Sequence, residues 1–160
     1  MSLIQRQYQR GVTLVEAMIA LLVISVGLLG IASLQITAMN QNASSLHHSQ
    51  AVWYAYNMSD RIRANISQFN NYVGINTDTN NYNKDCMSSR CLPGDMITAD
   101  AADWETMLSN LPGGVGIVSS PGNELLVTVM WDDDGTGATG TNCGGDPAVD
   151  LTCYTMAVAQ

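Results

Sequence analysis

The run Arg10–Leu34, RGVTLVEAMIALLVISVGLLGIASL, constrains this chain more than any other stretch. From Ala17 to Leu34 it holds 18 residues without a charge, about the length a helix needs to cross a bilayer. One acid, Glu16, stands at its start. A carboxylate at that depth is costly unless it has a partner, so Glu16 calls for a physical explanation. Arg6 and Arg10 precede the run and nothing basic follows until Arg61. The asymmetry of positive charge predicts Met1 on the cytoplasmic side and the remainder of the chain outside.

Thr13-Leu14-Val15-Glu16 has the form of a capping box, in which the Thr13 hydroxyl and the Glu16 carboxylate satisfy each other's amides at a helix start. A second role follows from cleavage after Gly11, which would create an α-amine on Val12 at nearly the depth of Glu16. In a staggered set of helices the carboxylate of one subunit then meets the amine of another, and withdrawing the two charges together costs less than withdrawing either alone.

The stretch GVTLVEAMIALLVISVGLLGIASLQ, behind its short basic leader, resembles the N-terminus of type IV pilins. Leader charge, Gly11, the acid at the fifth mature position and the apolar length all agree with that pattern. The resemblance implies cleavage by a prepilin peptidase between Gly11 and Val12, methylation of the new terminus and an assembly role for Glu16, with Thr13 beside it. Val12 stands where the family usually has Phe. The implied domains are a leader over 1–11, a transmembrane assembly half over 12–36 and a periplasmic head over 37–160. The implied fold is α+β: a long N-terminal helix packed by a small antiparallel sheet. The implied partners are other minor pilins, the major pilin, the peptidase and the bacterial inner membrane, before the chain enters a pilus fibre or its tip.

Beyond Leu34 no helix breaker appears before Phe69, and Ala51, Ala55, Met58, Ile62, Ile66 and Phe69 recur at helical spacing. One helix from about Thr13 to Ile66 is predicted, apolar all round in its first half and one-sided in its second. Gly27 and Gly30 either allow close helix packing or soften the helix. Trp53, Tyr54 and Tyr56 read as packing residues towards the head or a neighbouring subunit, and His47 and His48 as solvated or packing residues.

Asn65–Asn83 reads as a polar loop, because Asn76, Asp78 and Asn80 lack the glycine and glutamate of a calcium loop. A helix over Asp100–Leu111, capped by Asp100 and stopped by Pro112-Gly113-Gly114, would bury Trp104, Leu108 and Leu111. Val115–Ser119, Leu125–Trp131 and Leu151–Val158 read as antiparallel strands, the first two joined by a turn at Ser120–Asn123. Asp132–Asp150 reads as a solvated loop.

Four cysteines permit three pairings. Outside a membrane disulfides are the expected fate, and the local pairs Cys86/Cys91 and Cys143/Cys153 are favoured. No metal or cofactor site is expected, since the cysteines lack ligand spacing and both histidines are remote from them. With 6 basic and 14 acidic residues the chain disfavours nucleic acid. No catalytic constellation is visible, so an assembly protein is expected rather than an enzyme.

LPGG at 111–114 and VTVMWDD at 127–133, with the late cysteine pair, resemble the minor pilins of the PilV type. That resemblance implies a minor pilin joining a complex that starts or caps the fibre. A pseudopilin of type II secretion shares the N-terminal chemistry. An exported ligand-binding domain with a conventional signal is the alternative from another class, and it would be cut near Ala38. Mass spectrometry of the mature N-terminus separates them: a chain starting at Val12 is expected, and one starting beyond Ala32 would exclude the pilin reading.

Overall fold

The computed structural model describes residues 11–87 and 90–160. The leader Met1–Arg10 lies outside the described residues. One unbroken helix, α1, runs from Leu14 to Ala64. Contacts divide the chain between Asn42 and Ala43, and the two units are taken in turn.

In the first unit every residue from Gly11 to Asn42 is exposed, including the leucines, isoleucines and valines of the apolar run. This part of α1 is long and apolar enough to cross a membrane. Ser25 and Thr37 turn their hydroxyls back onto the carbonyls of Leu22 and Ser33, which hides two polar groups that would otherwise face lipid.

In the second unit the later part of α1 buries one face, through Ala51, Tyr54, Ala55, Met58 and Ile62. The stripe does not continue to Ile66 as its spacing suggested. The helix ends at Ala64, and Asn65 leaves helical geometry at φ −111° and ψ 46°. Its side-chain amide bonds the Pro93 carbonyl at 2.7 Å and the Tyr72 hydroxyl at 3.2 Å. That break turns Ile66 outward. A 3₁₀ helix, Ile66–Tyr72, then buries Phe69 and Tyr72, three residues apart and therefore eclipsed on one side.

The next helix, α2, spans Pro93–Leu108, one and a half turns or more longer at its start than the sequence suggested. Pro93 takes the first helical position, where its missing N–H costs nothing. Asp95 accepts the Leu92 amide at 3.2 Å and receives Lys84 at 3.2 Å. Asp100 is consequently not a cap but a buried mid-helix residue.

Strands β1 (Val115–Ser119), β2 (Leu125–Trp131) and β3 (Thr152–Val158) form one antiparallel sheet in the order β1-β2-β3. Val115 faces Met130 across the first pair, and Trp131 faces Thr152 across the second. The Ser120 hydroxyl closes the hairpin by donating to the Gly122 and Glu124 carbonyls. One sheet face joins α1 and α2 in the main core through Val118, Val127, Val129 and Trp131. Met130 packs on the other side with Ala138 and Leu151 of the loop that follows β2. The disulfides Cys86–Cys91 and Cys143–Cys153 are both formed, with Cα separations of 5.5 and 5.6 Å.

Trp104 is fully buried and donates its indole N–H to the Tyr54 carbonyl at 3.0 Å. Its ring lies where a side chain on β1 would stand: a Cβ on Gly116 would come within 2.5 Å of it. Gly116→Val is therefore expected to destabilise the head by about 1–3 kcal/mol, the usual cost of overpacking. Denaturant unfolding measures it, and an unchanged midpoint would show that the ring can move aside.

Candidate functional site

Gly11, Val12 and Thr13 precede the first helical residue. The Thr13 hydroxyl accepts the Glu16 amide at 3.3 Å, and its carbonyl accepts the Ala17 amide at 3.2 Å. Thr13 is thus the N-cap of α1, and Glu16 stands in the first turn, where a negative charge suits the helix dipole. Among the described residues no cation pairs with Glu16, which is exposed along with Val12 and the whole apolar run. A Cβ added at Gly27 or Gly30 would meet nothing within 4 Å, so neither glycine is required by contacts among the described residues.

Two family models match adjoining stretches that together run from residue 6 to residue 102. The prokaryotic N-terminal methylation motif covers residues 6–32, and the model for type IV pilin Tt1218 covers residues 33–102. The chain belongs to the type IV pilin superfamily. No curated protein and no solved structure matches it significantly. The motif implies processing by a prepilin peptidase and assembly with other pilins, and with the apolar helix it fits a membrane-anchored chain. Membership points to a structural rather than an enzymatic protein.

In this pilin two polar clusters sit at opposite ends of the buried stripe of α1. At one end the Arg61 guanidinium donates to Asp100 at 2.9 Å, to Asp103 at 3.0 Å and to Asn57 at 2.8 Å. The Tyr72 hydroxyl donates to the other Asp100 oxygen at 2.6 Å. Burial would lower the Arg61 pKa, but its bonds to the two carboxylates hold it above its ordinary value. Burial, reinforced by Asp100, pushes the Tyr72 phenol up, so it stays a donor. Sequence reasoning missed this cluster. The available signal was Asp100 itself, which falls at helical spacing with Ile97, Ala101, Trp104 and Leu108 on a stripe that should be apolar.

At the other end Asp133 accepts Ser44 Oγ at 2.6 Å and Trp131 Nε1 at 2.8 Å. His47 Nδ1 lies 3.6 Å from the same carboxylate. His48 packs edge-on against Trp131 and Tyr154, with ring centroids 6.0 and 5.9 Å away. The acidic run is therefore built into the fold more than a solvated turn would be. Asp132 also works within the chain, accepting the Thr136 and Gly137 amides at 3.1 and 2.8 Å. Among the described residues no group of three or more His, Cys, Asp or Glu could hold a metal ion.

Burial pushes the Asp133 carboxyl up, but the bonds from Ser44 and Trp131 and the nearby His47 outweigh it and hold the group below its ordinary value. A depressed carboxylate contributes stability above its unfolded pKa of about 3.9 and loses it as pH falls through the folded value. Acid denaturation is therefore expected to weaken the wild-type head more steeply below about pH 4 than it weakens Asp133→Asn. Parallel acid-unfolding curves would remove Asp133 from that account.

Proposed function

We propose that this chain is a minor type IV pilin of the PilV type that joins other minor pilins in a complex starting or capping the fibre. The reading has the leader cut between Gly11 and Val12, and Val12 carrying the methylation that the motif names. The chain is then held in the bacterial inner membrane with its head in the periplasm. The apolar part of α1 leaves lipid for the helices of neighbouring subunits, and Glu16 pairs with the N-terminal amine of one of them. The head selects the partner.

One observation carries this. An acid with no cation to meet it in the described chain stands at the capped start of an exposed apolar helix, inside the methylation motif. Such a carboxylate is tolerable in lipid or in a helix bundle only beside a positive group brought by something else. Support for the PilV type comes from LPGG and VTVMWDD. In the head, Gly113 makes the turn between α2 and β1 at φ +58°, and the second stretch supplies β2 and Asp133. These are positions on which the head's own packing depends.

The test is Glu16→Ala in the full chain. Cleavage at Gly11 should proceed, since the peptide bond and its flanks are unchanged. Recovery with other pilins should fall roughly tenfold or more, equivalent to at least ~1.4 kcal/mol of lost pairing. Normal recovery of the variant would reduce Glu16 to a residue of the first helical turn.

A further inference from the structure

The sheet protects its two edges unequally. The outer edge of β1 is covered by the segment after the 3₁₀ helix. There the Gly74 amide donates to the Val118 carbonyl at 2.9 Å, Val118 donates to Ile75 at 2.9 Å, and Thr77 donates to Gly116 at 3.0 Å. The Thr77 hydroxyl also takes the Gly116 amide at 2.9 Å. Along the outer edge of β3 no described segment makes such bonds: β3 pairs with β2 alone, residue for residue and without a bulge.

Exposed edges in soluble proteins are normally blocked by a lysine, a proline, a bulge or a covering segment, because a bare row of amides and carbonyls will recruit any extended chain. Along Tyr154–Val158 none is present among the described residues. From Leu151 to Gln160, LTCYTMAVAQ, there is no charge, no proline and no glycine, while threonine, tyrosine and valine favour strand. Cys143, joined to Cys153 with Cα atoms 5.6 Å apart, brings its loop beside the start of β3, where Thr155 shares a cleft with Gly144 and Pro147, but among the described residues no backbone bond of that loop reaches Tyr154–Val158.

We infer that the outer edge of β3, from Tyr154 to Val158, is a docking site for an extended strand of a second, non-identical pilin, added to the sheet as a fourth strand. This rests on the proposed assembly with other pilins. A copy of this chain is the wrong occupant: its β1 edge is closed, so two copies meet only β3 to β3, an isologous contact that stops at two. The acids Asp132 and Asp150 flank the end of the β2–β3 ladder where Trp131 faces Thr152. The incoming strand is therefore neutral or basic at that end, free of proline, and bound mainly through its backbone.

Hydrogen exchange with mass spectrometry on peptides covering 152–160 tests this, comparing the full chain in detergent micelles with the chain in its membrane complex with other pilins. Exchange of Tyr154–Val158 should slow by about tenfold or more in the complex, because amides pointing away from β2 gain acceptors. Equal exchange in both states overturns the inference. Protection that grows with concentration in micelles of the chain alone also overturns it, by giving the edge to a second copy. In parallel, Thr155→Lys with Ala157→Lys places two charges on exposed positions of the strand. The double variant should keep both disulfides and its cleavage yet lose partner recovery, and undiminished recovery counts against the inference. A wild-type chain that purifies with no other pilin fails both readings together, whereas a complex with an unprotected β3 fails this one alone.

Discussion

A helix that is apolar on every side has no stable place in water, and the first part of α1 is such a helix. Each leucine, isoleucine or valine left exposed forgoes about 1.5–3 kcal/mol. The run has more than a dozen such residues between Val12 and Ile36, so the forgone sum exceeds the 5–15 kcal/mol that holds a typical domain folded. Nothing among the described residues covers it. Its surroundings must therefore be lipid or other helices, and the position of Glu16 has to be understood in the same surroundings. The head cannot relieve this constraint.

The head solves a different problem, that of fixing its position along a helix. The stripe from Ala51 to Ile62 is built of alanines, a tyrosine, a methionine and an isoleucine, and hydrophobic burial has little sense of register. The polar clusters supply it. Asp133 holds Ser44 before the stripe begins, and Asp100 holds Arg61 as it ends. A shift of one residue along α1 would break both, taking Ser44 from Asp133 and the guanidinium from the buried Asp100, which is more costly than a small misfit of methyl groups. Hydrophobic area provides adhesion here, and four polar side chains provide address.

The strands were legible in the sequence because β-branched and aromatic residues cluster in them and turn residues separate them. Burial of Trp104, Leu108 and Leu111 was legible from helical spacing. The start of α2 was not, because Pro93-Gly94 after a cysteine reads equally as a turn, and only the Asp95 bond to the Leu92 amide shows a helix beginning. The end of α1 was hidden for a similar reason: Asn65, where it stops, bonds Pro93, 28 residues further on. Asp133 looked solvated because its partners, Ser44 and His47, lie some ninety residues earlier. At the N-terminus the motif itself was plain to read, since its logic is local, whereas the partner proposed for Glu16 would be brought by another molecule.

The cap at Thr13 has one more consequence. Gly11 and Val12 stand outside α1, so the cut proposed after Gly11 would remove no residue of Leu14–Ala64 and no bond of its first turn. On that reading α1 is kept through processing, and the electrical character of its end changes. Two guanidinium groups, Arg6 and Arg10, which favour the cytoplasmic face of a bilayer, would be exchanged for a single amine. Cleavage would act on this segment as the cutting of a mooring line acts on a hull: the form is untouched, and what changes is the force that kept it in place.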